Sequence, residues 1–152
     1  MLVLNIGNKD YKIEFTIEAS LCNECTEKVT NLMMNIAEAS GKKAVREVVS
    51  SMTDVPQTTM TMFYAGLLEY HGEDGDGTVV NKDDAKKLLK KYFAEHKEDG
   101  TGNFYSLMEL LIEQMGNDGF FKQIGLEQMF TQAKEVKTPQ DHKKKATKAT
   151  EK

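Results

Sequence analysis

Apolar and polar residues alternate along the first seventeen positions of the chain, and apolar residues then recur every three or four positions. Leu2, Leu4 and Ile6 form the first alternating run, and Gly7-Asn8-Lys9-Asp10 supplies turn residues. The second alternating run consists of Tyr11, Ile13, Phe15 and Ile17. Two alternating runs around a short polar turn are typical of a β-hairpin. The pattern therefore predicts a hairpin over about residues 2–17.

The helical spacing begins at Glu18 and continues to Gly41. The apolar positions of this stretch are Leu21, Cys25, Val29, Leu32, Met33 and Ile36. This spacing predicts one amphipathic helix that turns these side chains inward. A shorter stripe from Ala44 to Met52 predicts a second helix, which ends near Asp54 because Pro56 disfavours helical geometry at the residue before it.

Three further helices are predicted between Pro56 and Gly116. The first extends to Gly72 and carries apolar residues on most of its surface, so we expect it to be central to the core. Asn81 and Asn103 are good N-caps for the next two, because the asparagine side chain accepts a hydrogen bond from the first helical turn. The helix capped by Asn81 turns its five lysines to solvent. The helix capped by Asn103 ends at Gly116-Asn117-Asp118-Gly119.

The segment after Gly119 has less apolar content. Phe120, Phe121 and Ile124 predict a compact apolar turn, and a last helix starts at Leu126. Residues 137–152 contain no large apolar residue that could offset the entropic cost of ordering, so we expect a disordered tail. The predicted fold class is mainly α: one helical domain over residues 1–136 with a small N-terminal β-hairpin, followed by the basic tail.

Length and charge narrow the class of protein. The chain has 152 residues, which is the usual size of one domain, and the tail carries six lysines against two acidic residues. The tail is therefore +4 and the remainder −8, which together give the net charge of −4. We see no secretion signal at the start and no apolar run of the roughly 18 residues that a membrane span needs. We expect a soluble, cytoplasmic protein.

The loop from Gly72 to Asp83 imitates an EF-hand calcium loop. Asp74 and Asp76 are two residues apart and Gly77 follows them, but the final ligand then falls on Asp83, which is shorter than the usual glutamate. An acidic, solvent-exposed hinge is the favoured interpretation. A calcium-responsive binding module remains the first alternative.

The residues that could support catalysis or metal binding lack the neighbours they need. Cys22 and Cys25 are three apart in a predicted helix, without the second ligand pair of a zinc site or the βαβ context of a redox motif, so we interpret them as packing residues. No activated nucleophile or phosphate-binding loop is evident. We therefore predict that the protein is not an enzyme, and that it has no catalytic residue and binds no cofactor or metal. The lysine-rich tail leaves a nucleic-acid-binding regulator as the second alternative, although it has no interleaved aromatic residue.

Nine methionines are more than core filling demands. Most of them are expected in the core, but flexible methionine surfaces adapt to varied partner helices. We therefore predict that a subset forms an exposed partner-binding groove together with two phenylalanines. The predicted site residues are Met108, Met115, Phe120, Phe121 and Met129.

The amino-acid sequence of residues 62–130 also resembles that of a known protein family. The segments from Met62 to His71, from Asp84 to His96 and from Asn103 to Gly116, together with the opening hairpin, resemble the tail assembly chaperones of long-tailed bacteriophages and prophages of Gram-positive bacteria. The resemblance extends over most of the chain. It names no contact residues, because that family has no catalytic motif.

The resemblance implies a function and partners. Members of that family bind the long, helical tape measure protein, keep it soluble, and help tail tube protein to polymerise around it in the cytoplasm of the infected host. They are absent from the mature virion. In many relatives a ribosomal frameshift makes a longer form that recruits tube protein, and Lys143-Lys144-Lys145 could be encoded by a slippery adenine run. Self-association is left open, and no membrane or specific nucleic acid is expected as a partner.

Overall fold

The structure is a computed structural model that describes residues 1–38 and 54–128, and the elements below are numbered within these ranges. Two strands, β1 (Leu2–Ile6) and β2 (Lys9–Ile13), are followed by α1 (Ile17–Leu21) and α2 (Asn23–Glu38). After the gap come α3 (Val55–His71), α4 (Lys82–Glu95), α5 (Phe104–Asp118) and the short α6 (Phe120–Gln123). The predicted fold class, mainly α with an N-terminal hairpin, is confirmed. The predicted helix over residues 44–54 lies almost entirely outside the described residues.

The hairpin has one apolar and one polar face, as its alternation predicts. The strands are antiparallel, and Leu4 lies opposite Tyr11 in the register. Both side chains are buried, and so are those of Ile6 and Ile13. The turn has positive φ angles at Gly7 and Asn8, which is the type I′ geometry that matches the twist of two paired strands.

Helix α3 is the central element of the first part of the chain. It contacts β2, α1, α2, α4 and α5, and its buried residues lie around most of its circumference. Gly66 allows β2 to approach closely, since a Cβ at this position would lie 2.6 Å from the Cγ2 atom of Ile13. The backbone N–H of Glu14 donates to the Gly66 carbonyl at 3.0 Å. The predicted central position of this helix is therefore confirmed.

The helix predicted between Glu18 and Gly41 is interrupted at Cys22, where the backbone is extended. Ala19 and Cys25 are both buried, but in a continuous helix they would point about 120° apart, at roughly 100° per residue. The break lets both side chains face the core. Leu21, predicted to point inward, is instead 69% exposed, so that part of the prediction is wrong.

The two predicted asparagine caps are confirmed. Asn81 accepts a hydrogen bond from the Asp84 backbone N–H at 3.0 Å, and Asp84 in turn accepts from the Val80 N–H at 3.0 Å. Asn103 accepts from the Ser106 N–H at 2.9 Å. The caps satisfy N–H groups that have no partner inside the helix.

The chain divides into two compact units, Met1–Phe120 and Phe121–Lys152. In the second unit, Phe121 and Ile124 are half-buried, Leu126 is buried, and residues 126–128 are helical. The predicted disordered tail over residues 137–152 lies outside the described residues, so the proposed domain limits stay a prediction. No helix in residues 1–38 and 54–128 has the length and apolar character needed to cross a membrane.

Candidate functional site

Three of the five predicted partner-binding residues belong to the core. Met108, Met115 and Phe120 are each 0% exposed, so the prediction that they line an exposed groove is wrong. Phe121 is half-buried, and Met129 lies outside the described residues. Met108 and Met115 follow the apolar spacing of α5 together with Leu111, which is the spacing of a core-facing helix side, and methionine as a residue type does not by itself indicate exposure.

The burial of Phe120 has a local cause at the end of α5. The Phe15 backbone N–H donates to Asp118 Oδ2 at 2.8 Å, and Gln114 donates to the other carboxylate oxygen at 2.7 Å. These bonds hold the segment after β2 against the C-terminal end of α5. The rings of Phe15 and Phe120 then pack with their centroids 5.6 Å apart.

An exposed apolar groove does exist, but it lies between the N-terminal half of α3, the middle of α4 and the start of α5. It has a volume of about 260 Å³. Four apolar side chains make up most of its lining together with Pro56, and three polar side chains complete it. The apolar four are Met60, Leu89, Phe93 and Phe104, and the polar three are Gln57, Lys86 and Lys90. We call this site the α3–α5 groove.

The spacing of residues on α4 explains its share of the groove. Lys86, Leu89, Lys90 and Phe93 follow one another at intervals of three, one and three residues, so they lie on one face of the helix. Leu89 is buried at the floor, whereas both lysines are exposed at the rim. The side chain of Phe93 is half-buried.

Two of the residues that line the groove form an aromatic pair. The rings of Phe93 and Phe104 meet edge to face, with centroids 4.9 Å apart and planes at 87°. The loop that brings Phe104 here passes so close to α4 that a Cβ at Gly102 would lie 2.5 Å from the Phe93 carbonyl oxygen. Thr59 donates to the Phe104 carbonyl at 3.4 Å, which ties α3 to the same point. The close approach of the loop to α4 and the hydrogen bond from α3 thus hold Phe104 beside Phe93.

The rim of the groove is positively charged. Lys86 and Lys90 are four residues apart on one helical face, where like charges repel by about 0.2–0.5 kcal/mol. Neither forms an ion pair or hydrogen bond within the described residues, whereas Lys82 on the same helix pairs with Glu24 of α2. Among residues 1–38 and 54–128, no acidic side chain is therefore paired with either of the two exposed rim lysines.

The size of the groove favours side chains over a small molecule. Small-molecule pockets usually measure about 300–1,000 Å³ and enclose most of the ligand. The α3–α5 groove is smaller and open, with three large apolar side chains only half-buried: Met60, Phe93 and Phe104. Such a surface suits one or two apolar anchors that project from a partner helix.

The acidic loop after α3 contains a local network of hydrogen bonds centred on Asp76. Asp76 Oδ2 lies 2.8 Å from Nδ1 of buried His71, and Asp76 Oδ1 accepts from the Thr78 backbone N–H at 2.9 Å. Nε2 of the same histidine accepts from the Lys12 N–H of β2 at 3.0 Å. With Nε2 accepting, Nδ1 is the ring nitrogen that donates to Asp76, and the imidazole connects the loop to the hairpin.

The loop after α4 repeats this arrangement. Asp99 Oδ2 lies 2.7 Å from Nδ1 of His96, and Asp99 Oδ1 accepts from the Thr101 N–H at 2.8 Å. Asp-Gly-Thr occurs in the sequence at residues 76–78 and 99–101, each time after a histidine and before a capping asparagine. This recurrence is visible in the sequence, although the apolar spacing does not reveal it.

Both loop carboxylates are held in the ionised form. Burial acts to raise the pKa of Asp76, but hydrogen bonds from Thr78, His71 and Lys9 outweigh it and lower the pKa well below its usual range. Hydrogen bonds from Thr101 and His96 lower the pKa of Asp99 to about 2. Among the described residues, no three His, Cys, Asp or Glu side chains are grouped to hold a metal ion. The acidic loop thus uses Asp76 as an acceptor within its own turn.

The two cysteines are free thiols in different environments. Cys25 is fully buried and Cys22 is half-buried. Burial raises the pKa of the Cys25 thiol to about 12, so the reactive thiolate is strongly disfavoured there. This environment agrees with the interpretation of Cys25 as a packing residue.

Comparison of the chain with protein-family models, with curated proteins and with solved structures finds no match.

Proposed function

We propose that this chain is a non-catalytic protein that binds amphipathic helices through the α3–α5 groove. The observation that carries this proposal is the accessible apolar lining of the groove, in which half-buried Met60, Phe93 and Phe104 come from three different helices. Large apolar side chains that remain accessible beside a charged rim are typical of surfaces that receive a partner helix.

Within that class, we propose a phage tail assembly chaperone that binds the helical tape measure protein, keeps it soluble and promotes assembly of the tail tube. The resemblance of residues 62–130 and of the hairpin to that family supports the proposal, as does the mainly α fold. A helical tape measure exposes apolar stripes that would otherwise aggregate. The chaperone would act in the host cytoplasm and be absent from the mature virion, and a frameshifted longer form would recruit tail tube protein.

The test is co-expression of the full chain with the large tape measure candidate encoded beside it, followed by pull-down and a solubility assay. We expect the candidate to become soluble and to co-purify. Met60→Glu places a charge in the groove and should abolish co-purification. Met34→Glu is the matched control, since Met34 is a methionine on α2 that is already 44% exposed. If the candidate stays insoluble while the chain is folded, the proposal fails.

A further inference from the structure

The α3–α5 groove combines an apolar floor with a cationic rim, and this combination indicates the chemistry of its ligand. We infer that the groove binds an amphipathic helix whose apolar stripe is flanked by acidic residues. The inference rests on the proposed helix-binding function and specifies which helices are selected. Its argument depends on the charges around the groove and on the charges of the possible occupants.

The two rim lysines are arranged to meet carboxylates at the edge of an apolar contact. A lysine stem covers apolar surface while its ammonium group stays in water, so Lys86 and Lys90 widen the apolar floor without leaving solvent. A helix seated on Leu89 and Phe93 would place the residues beside its stripe next to these ammonium groups. Acidic residues at those positions gain an ion pair, and basic ones meet repulsion.

The segments of this chain that the structure does not describe have the wrong charge for this rim. Residues 39–53 contain three basic residues and one acidic residue, which gives a net charge of +2. Residues 129–152 contain seven lysines and three acidic residues, which gives +4. Charge complementarity therefore favours a separate, acidic helix over either of these segments.

The rim also differs from the protein as a whole. Without residues 39–53 (+2) and 129–152 (+4), the rest of the chain carries −10, so the net charge of residues 1–38 and 54–128 repels a partner with acidic residues beside its stripe. The groove is then the place where such a helix is both electrostatically and hydrophobically favoured. This contrast provides specificity against other sites on residues 1–38 and 54–128, where the net charge opposes an acidic partner.

The test uses two synthetic helical peptides of about 20 residues, long enough to hold helical structure. Both have the same leucine stripe, flanked in one by glutamate and in the other by lysine. Binding of each to the full-length protein is followed by fluorescence anisotropy at low and at moderate salt. We expect the glutamate peptide to bind at least about ten-fold more tightly than the lysine peptide, with the difference shrinking as salt screens the rim.

The double variant K86E/K90E should reverse this preference. The matched control is K87E/K97E, which changes the net charge equally through two exposed lysines that do not line the groove. The control should retain the preference for the glutamate peptide. Equal loss in both variants would show that overall charge governs binding and would overturn the inference, as would an unchanged preference in K86E/K90E.

The remaining outcomes separate this inference from the proposed function. If tape measure protein co-purifies but the glutamate and lysine peptides bind equally, the chaperone proposal stands and the acidic-helix inference is overturned. The glutamate peptide binding as expected without tape measure co-purification would have the opposite meaning. The protein could also self-associate through the groove. If K86E/K90E abolishes that self-association and the glutamate peptide does not compete with it, the groove belongs to a second copy of the chain, and the inference is wrong.

Discussion

At the scale of single residues, the two Asp-Gly-Thr loops show how one local arrangement acquires different importance from its surroundings. Both aspartates accept from a threonine two residues on and from a histidine ring. His71 is only 5% exposed and also accepts from the N–H of Lys12 in β2. His96 is half-buried at the end of α4. The first loop therefore joins distant parts of the chain, and the second stabilises mainly its own turn.

Removing the two aspartates in turn should reveal this difference. Asp76→Ala leaves the Nδ1–H of buried His71 without its acceptor, and a buried unsatisfied donor costs about 1–3 kcal/mol. Asp99→Ala, the matched control, exposes its histidine to water and should cost less. Urea unfolding of both variants measures the two losses. Equal losses in the free energy of unfolding would contradict the assignment of His71 as the residue that connects the loop to the hairpin.

The two cysteines give a second prediction at this scale. A thiol-specific reagent should modify half-buried Cys22 rapidly in the native protein and reach Cys25 only after unfolding, because burial opposes both access and ionisation at Cys25. Absorbance during labelling follows the two phases. Cys22→Ser should eliminate the fast phase alone. Two thiols that react at one rate would contradict the burial of Cys25.

At the scale of elements, local signals predicted the helices and long-range contacts decided what they expose. The ends of α4 and α5 were predictable because asparagine caps and apolar spacing act within a few residues. The break at Cys22 was not, since an apolar stripe can continue through a change of direction. The site was missed for a related reason: Met60, Phe93 and Phe104 meet from three separate helices.

The close approach of α3 to β2 makes a prediction about Gly66. Alanine normally favours a helix interior by about 1 kcal/mol over glycine, but here its Cβ would meet the buried Ile13 side chain. Overpacking of this kind costs about 1–3 kcal/mol. We expect Gly66→Ala to lower the melting temperature. Gly116→Ala, at an exposed position of α5, should leave it unchanged or raise it. Stabilisation by Gly66→Ala would contradict the described contact.

At the scale of the whole molecule, a buried core holds the fold, and the proposed partner site lies on the surface in the α3–α5 groove. The methionines divide between these tasks: Met62, Met108 and Met115 are buried, whereas Met60 lines the α3–α5 groove. The rim charges differ in sign from the net charge of the chain. A groove of this kind would bind a helix reversibly, as an assembly chaperone must when it hands its partner on.

The most direct measurement is methionine-methyl NMR of the protein, titrated with a helical segment of the tape measure protein. We predict that the Met60 methyl signal shifts strongly on binding, while that of Met34, exposed on α2 and outside the groove lining, does not. Met60→Leu identifies the signal. A shift at Met34 with Met60 unchanged, or binding that moves neither, would show that the partner does not enter the α3–α5 groove.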